Sequence, residues 1–302
     1  MLYYSKNIVR QLFPCRIFQR RLNHKMASLK DFDIDDIRQR VNYYNKLDEQ
    51  INLSDDVKYL SDFKLRKKHK VYFFDSYEYT RYFNPSLRAA FKFGDFTKVP
   101  SEPTIVKSRP IYGDNKNSVI LNLAKVRHFS FIKDRKDFRN KKNMLVCRNY
   151  ANQPHRIKFL EMYINHPLCN IGKINKNHGH LHLLRDIMTI EEHLDYKFVL
   201  CIEGNDVATN QKWVMSSNSL AVMPKPKYET WFMEGMLIPD YHYVKRTDEA
   251  HAIINNAHRY IEQFKNKKQE DLISLLVLEK YFTKTGQKDI NEYLDLILAS
   301  QE

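Results

Sequence analysis

At 302 residues, with 43% hydrophobic and 28% charged residues, the chain can bury one large core or two smaller ones and is not of disordered composition. A formal net charge of +14 points to an anionic partner, whether nucleic acid, an anionic membrane surface or a phosphorylated substrate. No run approaches ~18 consecutive apolar residues, which excludes a membrane-spanning helix, and no zinc-finger or RNA-binding aromatic pattern supports nucleic acid.

Residues 1–25 interleave Leu2, Tyr3, Tyr4, Ile8, Val9, Leu12, Phe13, Ile17 and Phe18 with Lys6, Arg10, Arg16, Arg20 and Arg21. A secretory signal needs an uninterrupted apolar core, and Lys6, Arg10 and Gln11 break it. Two readings stay open for this segment: a basic amphipathic stretch lying on an anionic bilayer, or a cap packed on the first domain. From Asp33 to Leu53, Ile34, Ile37, Val41, Tyr44, Leu47 and Ile51 recur at helical spacing. The Asp33-x-Asp35 pair there reads as acids at a helix start rather than metal ligands. Lys64 to Lys70 reads as a solvated basic turn, Val71–Phe74 as a strand, and Asp75–Glu78 as a capping box opening a helix. Strand patterns continue around Pro103–Val106, Val119–Leu123 and Phe129–Ile132.

Met144–Cys147 reads as a buried strand, followed by a helix with Ile157, Leu160, Tyr163 and Ile164 on one face and a strand ending at Lys173. His178, His180 and His182 alternate in a polar stretch, and with no carboxylate or cysteine nearby in sequence they read as a solvated loop. Thr189–Glu192 reads as a capping box. Phe198–Ile202 is a buried-strand run, broken by Gly204-Asn205-Asp206, with a helix expected over Val207–Ser217 and a further strand over Leu220–Met223. Strand, turn, helix, strand places backbone N–H groups at a sheet's carboxyl edge, where phosphates bind. Thr247 is expected to cap a helix carrying Ile253, Ile254, Ala257, Tyr260, Ile261 and Phe264, with further helices over Leu272–Phe282 and Ile290–Leu298. Cys15, Cys147, Cys169 and Cys201 lack C-x-x-C spacing and read as reduced thiols. Only 7 Gly argue against a glycine-rich phosphate loop and for phosphate binding by helix N-termini and basic side chains.

Three segments, Glu203-Gly-Asn-Asp-Val-Ala-Thr-Asn210, Met215-Ser-Ser-Asn-Ser219 and Tyr228-Glu-Thr-Trp-Phe-Met-Glu-Gly235, resemble the bacterial lipopolysaccharide branch of glycosyltransferase family 90. The resemblance runs from about residue 70 to about 285 and extends to the protein O-glucosyltransferases and capsule xylosyltransferases of the same family. It implies a GT-B arrangement with the acceptor on the N-terminal half and a uridine diphosphate sugar on the C-terminal half. Gly94-Asp95-Phe96 ahead of Val99-Pro100, then Lys107-Ser108, is similar to the family's pattern around its catalytic aspartate, making Asp95 the candidate base. Arg148 matches the arginine of the family's Arg-Gly motif, with Asn149 in place of the glycine, and Arg156 is the candidate second arginine. Asn210 stands where the eukaryotic branch carries an arginine, a contact that Lys212 can replace. Glu229 falls where family members carry a glutamate that can accept both ribose hydroxyls.

Transfer from a nucleoside diphosphate sugar needs a base for the acceptor hydroxyl and positive charge at the departing diphosphate. Alternating strands and helices on both sides of residue 140 predict an α/β chain with two Rossmann-like domains facing a cleft. The expected divisions are a basic segment 1–30, an acceptor-side domain 31–140, a nucleotide-sugar domain 141–268, and C-terminal helices 269–302 packing back on the first domain. Expected donor contacts are Lys107, Ser108, Arg148, Arg156, Glu203, Gly204, Asn205, Asp206, Val207, Ala208, Thr209, Asn210, Lys212 and Glu229, with Asp95 catalytic and no metal ligands. The expected function is an inverting transfer from a UDP-sugar to a saccharide or lipid-linked saccharide, in lipopolysaccharide or surface polysaccharide assembly, with no cofactor and no divalent metal demanded by a motif. The expected location is cytoplasmic and peripheral on the inner face of a bacterial inner membrane. A protein acceptor, or a non-catalytic protein binding nucleotide sugars or nucleic acid, are the alternatives.

Overall fold

A computed structural model describes residues 2–65, 69–244 and 249–298. In chain order its elements begin with α1 (Leu2–Gln11), α2 (Cys15–Gln19), α3 (Leu22–Met26), α4 (Ile34–Tyr44) and α5 (Lys70–Thr80). Then come β1 (Ala90–Lys92), β2 (Thr104–Val106), β3 (Arg109–Pro110), β4 (Ser118–Ile120), α6 (Lys125–His128) and β5 (Lys142–Asn149). They continue through α7 (Pro154–Tyr163), β6 (Cys169–Lys173), α8 (Ile190–His193), β7 (Tyr196–Leu200), α9 (Gln211–Met215) and β8 (Leu220–Val222). The chain ends with β9 (Tyr228–Glu229), α10 (Ala250–Glu262), α11 (Lys267–Lys284) and α12 (Glu292–Leu298). Two units emerge: Met1–Val126 with Tyr228–Trp231 and Phe264–Glu302, and Arg127–Lys227 with Phe232–Gln263.

In the first unit β1, β2 and β4 form a parallel sheet in that order, and β2 and β4 are wholly buried. The connections 93–103 and 107–117 carry no helix, so the strand–helix alternation expected of a Rossmann-like half is not found here. Helices supply most of the cover instead. Asp33 caps α4 by accepting the N–H groups of Asp35 and Asp36, which satisfies orphan donors of the first turn. Leu272 through Phe282 of α11 is buried all round, and Asn45 Nδ2 from the end of α4 donates to Val277 O of that helix.

Val71–Phe74, expected as a strand, lies in α5, and the expected capping box at Asp75–Glu78 lies inside that helix. A short apolar run does not distinguish a buried strand from a helix covered on several sides. Here Tyr3 of α1 donates to Asp75 at 2.6 Å, while Tyr79 donates to Asp271 of α11 at 3.1 Å. Arg10 of α1 pairs with Glu78, so the N-terminal helix caps the first unit. Its outer face and the turn after it are open: Ile8 and Val9 on the helix, and Leu12 and Phe13 beyond it, are each at least half exposed.

The second unit is built on a parallel sheet ordered β6-β5-β7-β8. One apolar layer joins Cys147, Ala151, Leu160, Ile171, Leu183 and Leu200; another joins Leu220, Val244, Ile253 and Ile254 beneath α10. The Thr189–Glu192 capping box forms and opens α8. Phe129–Ile132, expected as a strand, is irregular. The helix expected over Val207–Ser217 is reduced to α9, because residues 204–210 form a loop with Val207 and Ala208 turned into the core. Thr247 lies outside the described residues, as do 66–68 of the expected basic turn.

Candidate functional site

The strand order of the second unit locates its candidate binding edge. From β5 the chain crosses through α7 to β6 on one side, and the next strand, β7, lies on the other side of β5. At such a reversal the loops leaving the two central strands diverge, opening a crevice outside their carboxyl ends. Those loops are residues 150–153 after β5 and 201–206 after β7.

Arg156, in the first turn of α7, ties the two loops together. Its Nε donates to Glu203 O at 2.9 Å, Nη2 to Ile202 O at 2.8 Å and Nη1 to Tyr150 O at 2.7 Å. A guanidinium carries five N–H groups, so two have no partner among the described residues. A Cβ built on Gly204 would lie 3.0 Å from Arg156 Nη2, so a side chain there would crowd the guanidinium. Gln153 Nε2 donates to Asn205 Oδ1 at 2.9 Å, and His155 Nε2 meets Glu203 O at 2.8 Å. Glu203 Oε1 in turn accepts Lys227 N–H at 2.9 Å. Pro154 begins α7, whose first turn holds no acid, so the positive end of its dipole is uncompensated by a side chain. Burial pushes the Arg156 guanidinium below its ordinary value, against the Cys147 thiol and the Asp206 carboxylate.

Other expected donor residues make contacts within the second unit. Arg148 donates to Asp186 O at 2.8 Å, Cys147 O at 3.0 Å, Asn170 O at 2.8 Å and Asn170 Oδ1 at 2.7 Å, clamping β6 and the loop after it. Asn210 Nδ2 closes on Leu200 O at 2.9 Å. Lys212 is 1% exposed, ion-paired with Glu234 and stacked over Phe232. Thr209 accepts from Arg127 at 3.5 Å, and Asp206 is buried. The expected helix start at Gly204–Asn210 thus becomes a loop, and α7 supplies the helix N-terminus at this edge.

The first unit gathers Asp95, Lys107 and Ser108. Gly94 takes φ +99° and turns the chain sharply after β1, a conformation that glycine adopts without strain. Lys107, just beyond β2, is buried and meets the Asp95 carboxylate at 2.6 Å, while Asp95 keeps 26% of its side chain exposed. The carboxylate is therefore held by Lys107 and still partly exposed. Ser108 Oγ reaches Phe96 O at 3.5 Å.

Glu229 sits elsewhere in the first unit. It faces Arg109 across the β3–β9 pair, accepting its Nε at 2.8 Å, and its other oxygen accepts the Tyr43 hydroxyl. Arg109 is 0% exposed and also donates to Tyr43 O, Tyr44 O and Ser118 O. Sequence reading missed Arg109; the available signal was a cation between a buried strand and Pro110, which demands an acid partner. It also missed Gln153 and His155, which only the meeting of the two loops brings to Asn205 and Glu203.

Residues 124–275, containing the whole four-stranded sheet, match the description of glycosyl transferase family 90. The curated protein O-glucosyltransferase LpsA of Dichelobacter nodosus is 42% identical over 264 residues, which cover 82% of this chain and 83% of that protein. Similarity of this extent is well beyond a shared local motif. The chain belongs to glycosyl transferase family 90 and is a glycosyltransferase.

Proposed function

We propose that the enzyme transfers a sugar from a uridine diphosphate sugar to a hydroxyl of a saccharide or lipid-linked saccharide, with inversion, in lipopolysaccharide or surface polysaccharide assembly. The name of the related LpsA makes a glucosyl donor the first to test. The proposal assigns the donor to the second unit and the base to the first, as in a GT-B enzyme. The observation that carries the donor assignment is the closure of Arg156 on Gly204 at the strand-order reversal of the sheet. Two spare guanidinium N–H groups and the positive end of α7 suit a diphosphate, whose charge grows as the sugar leaves. Asp95 takes the acceptor proton, and Lys107 orients its carboxylate.

A panel of UDP-, GDP- and dTDP-sugars with saccharide acceptors, read by nucleoside diphosphate release, tests the donor. Product anomeric configuration by NMR tests inversion. Turnover confined to non-uridine donors, or a retained anomeric configuration, would overturn the corresponding part.

We also propose that the outer face of α1 and the segment that follows it to Arg21 rest on an anionic membrane surface. Exposed Ile8, Val9, Leu12 and Phe13 lie among exposed Lys6, Arg16, Arg20 and Arg21, a combination that suits headgroup charge and acyl chains together. Phosphatidylglycerol vesicles should retain the full chain, less so as salt rises, and Leu12→Ser with Phe13→Ser should release it. Equal retention on neutral vesicles sinks this assignment.

A further inference from the structure

The alternating histidines read as a bare polar loop in sequence, but the fold brings a carboxylate to them. Glu161 lies on α7, and His180 and His182 lie in the loop that follows β6. The loop turns through left-handed backbone at His178 (φ 65°), Gly179 (φ 64°) and His180 (φ 53°), and this returns it across the helix. His180 Nδ1 lies 3.1 Å from Glu161 Oε1, and His182 Nε2 lies 3.0 Å from both carboxylate oxygens. One donor atom from each residue falls within 4.8 Å of the others, and all three residues are exposed.

We propose that Glu161, His180 and His182 form a binding site for a divalent transition-metal ion of the Zn²⁺ class, with water completing the shell. Around a tetrahedral ion with bonds of about 2.0–2.1 Å, neighbouring ligand atoms sit about 3.3 Å apart. The nitrogen–oxygen separations to Glu161 Oε1 are within a few tenths of an ångström of that spacing, and the two ring nitrogens lie within 4.8 Å of each other, so the ion enters with an adjustment of the two exposed histidines. Two imidazoles and one carboxylate suit Zn²⁺, Co²⁺ or Ni²⁺, whereas Ca²⁺ and Mg²⁺ take oxygen shells.

The ion would hold the far end of a loop whose near end is already anchored. Lys173 Nζ donates to Asn177 O and Gly179 O, and Asn177 Nδ2 donates to the Tyr150 hydroxyl. Pinning that loop to Glu161 stiffens the same helix that presents Arg156 one and a half turns earlier. The site uses none of the residues assigned to sugar transfer, so its test is independent of that assignment.

The full chain, stripped with chelator, is titrated with Zn²⁺ by calorimetry and with Co²⁺ by visible absorption. About one ion per chain, tetrahedral-type Co²⁺ bands and a zinc-dependent rise in Tm are expected. His182→Ala and Glu161→Gln should each weaken zinc binding by roughly 10–100-fold or more and abolish the rise in Tm. All three side chains are exposed, so the variants should fold, which far-UV circular dichroism checks. No binding at about 0.1 mM Zn²⁺, well above the range of structural zinc sites, would overturn the proposal. Undiminished binding in a His180→Ala, His182→Ala double variant would overturn it equally, since the ion would then lie elsewhere.

Discussion

Arg156→Ala separates what this residue does for the fold from what it does for the donor. It deletes three charge-assisted bonds, of which those to Glu203 O and Ile202 O are part-buried and that to Tyr150 O is exposed. Such bonds are worth about 1.5–3 kcal/mol when buried, and less where water replaces the lost donor. Taking about 1 kcal/mol for each part-buried bond and nothing for the exposed one gives a loss of about 2 kcal/mol. That corresponds to a fall in Tm of about 3 °C for a chain of 302 residues. If the remaining N–H groups also hold the diphosphate, donor binding weakens by a further 1.5–3 kcal/mol, roughly 10–150-fold. Arg156→Lys keeps the charge without the fork, so it should recover much of the donor affinity and little of the stability. Gly204→Ala, whose Cβ would crowd Nη2 at 3.0 Å, should shift both quantities in the same direction by less. Calorimetry with UDP and thermal unfolding supply the two readouts. A folded Arg156→Ala protein binding UDP within about twofold of the parent would refute the donor role, whatever happened to Tm.

Asp95→Asn keeps size and hydrogen bonding but removes the basic lone pair, so turnover should fall roughly 10²–10⁴-fold at unchanged UDP affinity; near-normal turnover would exclude it as the base. Glu229→Gln leaves the buried Arg109 without a countercharge and should cost about 3–5 kcal/mol in urea denaturation, with Arg109→Met added to it restoring much of the loss. Unchanged stability with weakened donor binding would instead return Glu229 to the donor site. Burial pushes the Asp75 carboxyl up from 3.8 to about 6, against Lys125 and the Tyr3 hydrogen bond. Between those values the folded chain holds a proton that the unfolded chain releases. The stabilisation is therefore complete below 3.8 and lost as pH rises through about 6, a change of about 3 kcal/mol. Asp75→Asn should flatten that slope in denaturation measured from pH 4 to 7, and an identical slope in both proteins would refute the burial argument.

The second unit was largely legible in the sequence. Its strands were read from apolar runs such as Phe198–Leu200 and Met144–Cys147, and there the fold agrees with the sequence reading. The motifs around Glu203 and Tyr228 likewise carried the family, because they are ordered chemistry rather than composition. Local rules also sufficed for the Asp33 cap and the Thr189 capping box, whose partners lie within three residues.

Other features depended on neighbours far along the chain. Val71–Phe74 became helix because α1 and α11 cover α5, and no local pattern encodes that cover. Lys212 and Glu229 look like free charges in sequence; Glu234 and Arg109 absorb them only once the units fold. The helix N-terminus facing the candidate donor edge is that of α7 rather than residues 204–210, a choice made by the order of strands in the sheet. Glu161 meets His180 and His182 for the same reason. A loop must return across a helix before residues about twenty positions apart can share one ion, and side-chain spacing in sequence carries no record of that return.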